Sequence, residues 1–306
     1  MLVSGALSLT PSAAGGVWYG GRGVFGGGSI SGAKSNVLDY VTIATTGNAT
    51  DFGDTSITRE GNAACSNGTR GVWGGGYNGG YSNVIDYITI ATPGNATDFG
   101  DLTVSGYVRA ACSDGTKGVW GGGESSGGNT NVIEYITIST VGNASDFGNL
   151  TIARSSLGSC SDGTKGLWGG GGLSGSLANT IDYITITTTG NALDFGNLTV
   201  ARRGICGCSD TTRGLWAGSY ISGYSNTIDY VTMASTSNAA DFGDLTTNRA
   251  WFSACSDGTK GVFAGGYDGG SRVNTIEYVT VQTTGNATDF GDLTQSRMQL
   301  ASASGD

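Results

Sequence analysis

Sixfold internal repetition constrains this chain more than any other feature. The tripeptide Gly-Val/Leu-Trp/Phe, followed by glycine or alanine, begins at Gly23, Gly71, Gly118, Gly166, Gly214 and Gly261, in steps of 48, 47, 48, 48 and 47 residues. The text between the markers is nearly constant. Cys-Ser-Asp-Gly-Thr-Lys-Gly stands at 112–118, 160–166 and 255–261, and Gly-Asn-Ala-Thr-Asp-Phe-Gly-Asp at 47–54, 94–101 and 285–292. A unit of this length cannot bury an apolar face alone, so neighbouring units must stack to make a continuous core.

Each unit reads as four short strands. In the fourth, 156–161 is the first strand, Asp162-Gly163-Thr164 a turn, 167–170 the second strand, 180–187 the third and 194–199 the fourth. Composition agrees: 57 Gly, 2 Pro and 13% charged residues leave little helix-forming sequence. The 6 Trp, 13 Tyr and 9 Phe supply a core that a disordered glycine-rich chain lacks. Four-stranded units of 40 to 50 residues are propeller blades. The expected fold is therefore all-β, a six-bladed β-propeller of four-stranded blades over 23–306, preceded by an N-terminal arm or extra strand over 1–22. The last residues carry an arginine, Arg297, and place Ala303 in the slot that holds cysteine elsewhere. The C-terminal segment Met298–Ala303 is thus predicted to complete the first blade and close the ring. A competing segment, Ala13–Tyr19, lacks both marks.

Glycines after the second strand, a tyrosine in the third (Tyr40, Tyr87, Tyr135, Tyr183, Tyr230, Tyr278) and an arginine before the first (Arg59, Arg154, Arg202, Arg249, Arg297) resemble the kelch repeat. The resemblance covers nearly the whole chain. It departs from kelch in having a phenylalanine 12 residues after the tyrosine, as at Phe52 and Phe99, where kelch units place a nearer tryptophan, and in having Gly106 at the second junction where the arginine is due. The wording of the units also resembles kelch-like repeats of phage and marine-virus proteins, often fibre or other virion components. That resemblance implies a virion or extracellular protein; solubility is expected separately, from the lack of a long apolar stretch.

Several chemistries are excluded by residue content. With no histidine, there is no Ser-His-Asp or Cys-His catalysis and no histidine-based metal site, including the copper site of galactose-oxidase-like kelch enzymes. Cys65, Cys112, Cys160, Cys208 and Cys255 occupy one equivalent slot per unit, a poor geometry for bridging, and Cys206 lies too close to Cys208. All six are expected to be reduced and buried. No cofactor is expected. A net charge of −9 without a basic patch makes nucleic acid an unsuitable partner, and no apolar stretch suggests membrane insertion. A carboxylate precedes each repeated tyrosine (Asp39, Asp86, Glu134, Asp182, Asp229, Glu277), and the repeated arginines are expected to pair with this set as scaffold. The glycine runs are expected to pack near the axis.

Variation among the six copies carries the functional signal. The turn between strands one and two and the loop between three and four are nearly constant. The junction from strand four to strand one and the loop between two and three vary. Strand alternation places both variable regions on one face of the disc. They contain Tyr77, Tyr81, Tyr107, Arg109, Tyr220, Tyr224, Trp251, Phe252 and Tyr267, residue types that binding surfaces favour. All of these except Phe252 are the candidate ligand-binding residues, expected around the channel mouth. The leading expectation is a non-enzymatic recognition module that binds a surface glycan or protein through this face. A structural virion or scaffold subunit docking to a neighbouring protein is the alternative. A glycoside-processing enzyme is a third possibility, for which Glu60, Glu124 and Asp268 are the available carboxylates.

Overall fold

Asp-Gly and Gly-Asn pairs reverse the chain at fixed intervals, and the apolar alternation between them makes each repeat a four-stranded antiparallel sheet. In the fourth repeat Asp162 Oδ1 accepts the backbone N–H groups of Thr164 and Lys165 at 2.8 and 2.6 Å, closing the first hairpin. The strands of that blade are Gly158–Ser161, Lys165–Gly169, Thr180–Thr185 and Leu193–Asn197. The first therefore starts later than the sequence suggests, because Ser156 has a left-handed backbone (φ 57°) and belongs to the junction. A computed structural model describes residues 19–306; most of the predicted arm, and of the competing segment Ala13–Tyr19, lies outside them.

Six such sheets form the ring, each running from its first strand to its fourth. The blades follow the repeats in order, the first strands being Ala63–Ser66, Ala110–Ser113, Gly158–Ser161, Cys206–Ser209 and Ser253–Ser256 in blades two to six. In blade one that place is taken by the C-terminal strand, Ala301–Gly305, which pairs antiparallel with Arg22–Gly26 so that Ala303 faces Val24. Closure by the C-terminal strand is as expected, with the strand shifted beyond Met298, which makes only a single bridge to Ser29.

The marker residues are the contact between blades. Trp73, Trp120, Trp168 and Trp216 are fully buried, and each Nε1 donates to a first-strand carbonyl of the preceding blade: Ala301, Ala63, Ala110 and Gly158, at 3.0–3.3 Å. Gly26, Gly74, Gly121 and Gly169 lie under these rings; a Cβ there would stand 2.7–2.9 Å from the indole nitrogen. Where the marker is the smaller Phe263 or Phe25, the preceding blade carries Ala217 or Ala264 instead. The first glycine of each run is thus shaped by the next blade's aromatic ring, and the following ones, such as Gly75 and Gly76, have left-handed backbones and pack against the junctions at Gly106, Glu60 and Arg59. Cys65, Cys112, Cys160, Cys208 and Cys255 are free and buried, each Sγ filling the space that a side chain on the next blade's marker glycine would need.

The constant text of the opposite face is a second clasp. Gly94, Asn95 and Ala96 of blade two extend onto the outer strand of blade one, through Gly94 N–H to Phe52 O (2.7 Å), Ala96 N–H to Asp54 O (2.7 Å) and Asp54 N–H to Asn95 Oδ1 (3.1 Å). The same contact joins blade one to blade six, where Asn48 Oδ1 accepts from Asp292.

Candidate recognition site

Six carboxylates hold the variable face together from beneath. Arg59–Asp86, Arg154–Asp182, Arg202–Asp229, Arg249–Glu277 and Arg297–Asp39 are ion pairs with both side chains essentially inaccessible. Five of the six carboxylates also accept a hydroxyl from the end of the preceding blade, as Asp182 does from Thr151 at 2.6 Å, and Glu277 accepts the backbone N–H of Thr246. Burial lowers the pKa of these arginines, and the facing carboxylate opposes that shift.

The second junction, which has Gly106 where an arginine is due, is completed by Arg109. Its guanidinium reaches Glu134 and the carbonyl of Val104, and the residue is 5% exposed. Arg109 is therefore a scaffold residue and is withdrawn from the candidate binding set. Phe252 is buried too, packed edge-on against the marker Phe263 at 6.2 Å.

Above this layer each junction makes a bridge to its own blade's second loop: Glu60 with Tyr77, Tyr107 with Glu124, Arg203 with Tyr220 and Ala250 with Tyr267. Both variable regions thus share one face. At its centre the junctions form a collar. Val108 N–H donates to Gly61 O, Ser156 to Val108, Gly204 to Ser156, Trp251 to Gly204, Gln299 to Trp251 and Gly61 to Gln299, at 2.6–2.9 Å. All six have left-handed backbones, and Val108, Ser156, Trp251 and Gln299 are the only non-glycine residues with positive φ among the described residues. Sequence reasoning missed the collar, because left-handed geometry at a valine or tryptophan leaves no compositional mark.

The candidate aromatic residues fall into two clusters. Tyr77, Tyr81 and Tyr107 have ring centroids 5.7–5.8 Å apart. Lys34 Nζ lies 5.0 Å from the Tyr77 centroid and 3.7 Å from Glu60, and Tyr81 donates its hydroxyl to Glu124 at 3.1 Å. In the second cluster Trp251 stacks on Tyr220 at 5.6 Å and 25°, Tyr224 packs edge-on to both, and Tyr267 lies 5.6 Å from Tyr224. All seven rings are half-buried. Desolvation first, then Glu124, raises the pKa of the Tyr81 and Tyr107 hydroxyls; desolvation and neighbouring tyrosines do the same for Tyr224. These hydroxyls are proton donors at neutral pH.

The clusters are related by the ring. Gly23, Gly71 and Gly118 recur 143 residues on at Gly166, Gly214 and Gly261, as do Tyr77 and Tyr81 at Tyr220 and Tyr224. One cluster spans blades two and three, the other the opposite blades five and six. Each leans over a collar glycine: Tyr107 over Gly61 and Trp251 over Gly204, where a Cβ would come within 2.9 and 3.0 Å of the ring. The 143-residue period was present in the sequence and would have predicted the paired arrangement.

Beneath the collar the channel is narrow. Chambers of about 60 and 100 Å³ lie behind it, lined by Asn62, Leu157, Ile205 and Leu300 and then by Ala64, Ala111 and Ser159. Tyr19 lines the channel at the opposite face, its ring against Gly258. Such chambers suit water; wider openings of about 350 and 310 Å³ lie at the loops between the third and fourth strands of blades four and six.

The fold defines a six-bladed β-propeller. No protein-family model matches the chain, and no curated protein matches it in sequence. No helix of the described residues is long and apolar enough to cross a membrane.

Proposed function

We propose that the protein is a non-enzymatic, kelch-like recognition module that binds a surface glycan through the two aromatic clusters flanking the collar. The observation that carries this is their separation: half-exposed rings gathered into two small platforms, each beside charged side chains, suit stacking on the apolar faces of sugar rings. A partner protein docking on this side calls for one broad apolar surface instead. The wording of the repeats, which resembles that of phage and marine-virus proteins, extends the proposal to a particle surface meeting a host glycan. The carboxylates nearest the rings are engaged within the protein: Glu60 with Lys34, Glu124 with Tyr81, and Asp268 with the backbone N–H groups of Ser271 and Gly270, which lower its pKa. Screening the purified protein on a glycan array tests the reading. Binding that disappears in a Tyr77→Ala, Tyr220→Ala double variant is expected; no binding to any glycan overturns it.

A second role is favoured by one observation. Leu193 and Val141 are 60% and 52% exposed on the outer rim of blades four and three, which suits contact with a neighbouring structural protein away from the collar.

A further inference from the structure

The two clusters share a frame but not a charge. Glu60, which bridges to Tyr77, has its counterpart 143 residues on in Arg203, which bridges to Tyr220. Glu124, which accepts from Tyr81, is replaced by Tyr267. Lys34, which neutralises Glu60, is replaced by Leu177. The first cluster therefore carries two carboxylates and one ammonium. In the second, the Arg203 guanidinium lies 5.4 Å from the Tyr220 centroid, is exposed, and makes no ion pair among the described residues. The nearby Asp268 is held by its own turn.

We propose that the face contains two saccharide subsites of opposite charge preference, and that the one built on Tyr220, Trp251 and Arg203 takes an anionic sugar, a pyranose bearing a carboxylate or sulfate. The sugar ring stacks on the exposed aromatic surface, and Arg203 receives the anionic group through its paired N–H donors. The subsite built on Tyr77, Tyr81 and Tyr107 takes neutral or amino sugars, because Glu60 offsets the charge of Lys34 and Glu124 repels an anion. This rests on the recognition reading above and adds the class of ligand. The duplicated frame requires two binding events per chain, and the exchange of Glu60 for Arg203 makes them unequal.

Trp251 supplies the readout, since the other tryptophans among the described residues are fully buried. In a Trp18→Phe background of the full chain, fluorescence is titrated with methyl glucuronide and with methyl glucoside, which differ in the carboxylate alone. The glucuronide should perturb Trp251 at a concentration at least about tenfold lower than the glucoside, a preference that weakens with added salt. Arg203→Gln should abolish the preference, and Arg203→Glu should reverse it, while both variants keep the wild-type melting temperature because the side chain is exposed. Equal response to the two sugars in the wild type, or a preference that survives Arg203→Gln, overturns the charge assignment and leaves the recognition reading standing. No response to either sugar overturns the assignment too, and the glycan array then decides the broader reading separately.

Discussion

Gly61 donates its backbone N–H to the carbonyl of Gln299 at 2.8 Å, linking the second blade's junction to the C-terminal segment that closes the ring. It completes the circle of six hydrogen bonds around the axis. Every residue in that circle is left-handed, so the collar imposes a backbone that suits glycine on positions that hold valine, serine, tryptophan and glutamine.

Val108 is the most strained of these, being β-branched with φ of 49°. Left-handed geometry costs a non-glycine residue about 1–3 kcal/mol. Val108→Gly relieves it, partly offset by the greater freedom of glycine in the unfolded chain. The variant should be more stable by about 1 kcal/mol in urea denaturation. A clear loss of stability would mean that the Val108 side chain contributes packing that outweighs the strain.

Arg109 fills a scaffold role from a displaced position. Arg109→Ala strands the buried Glu134 carboxylate, and breaking a buried pair on one side costs about 3–5 kcal/mol. Thermal unfolding should show a large drop in Tm, comparable with that of Arg154→Ala. If Arg109→Ala leaves stability unchanged but weakens ligand binding, the residue belongs to the recognition surface after all.

Ring number and blade architecture were legible because the repeat is printed six times, and each copy obeys the same turn chemistry. The cysteine slot and the arginine–carboxylate pairing were legible for the same reason. The arginine at position 109 was misread because a shift of three residues looks like variation, although its guanidinium pairs with Glu134, the carboxylate equivalent to Asp86 and Asp182. The split of the aromatic residues into two platforms was missed because unit was compared with unit, and the pattern repeats over three units. Glu60 and Arg203, at equivalent places with opposite charge, show what the longer period carries.

The Gly169–Trp216 contact makes the steric code between blades testable. Gly169→Ala puts a methyl group 2.8 Å from the indole nitrogen and should cost about 1–3 kcal/mol through overpacking. Adding Trp216→Phe reproduces the Ala264–Phe25 pairing found between blades six and one. The double variant should be more stable than the sum of the single effects by 0.5 kcal/mol or more, roughly the range expected of residues in contact. Additive effects would show that glycine and tryptophan are not matched.

The thiols predict an alkaline limit. Burial first, then Asp210, pushes Cys208 up to about 12 from 9.0, and burial raises the other five. Above pH 9 the unfolded chain releases these protons while the folded chain keeps them. Stability therefore falls as pH rises from 9 toward 12, by on the order of 1 kcal/mol per thiol. Denaturation midpoints at pH 8 and 10.5 should show the decline, and Cys208→Ala, which copies Ala303 of the same slot, should reduce it. A midpoint independent of pH over this range would contradict the burial of the thiols.

The central claim is that the face around the collar is where a ligand binds. Hydroxyl-radical footprinting of the protein with and without a glycan that it binds tests this most directly, because side-chain protection is read residue by residue. The expected result is protection confined to Tyr77, Tyr81, Tyr107, Tyr220, Tyr224, Trp251 and Tyr267. Protection of the rim at Leu193 or of the opposite face around Tyr19, with these seven residues unchanged, would contradict it.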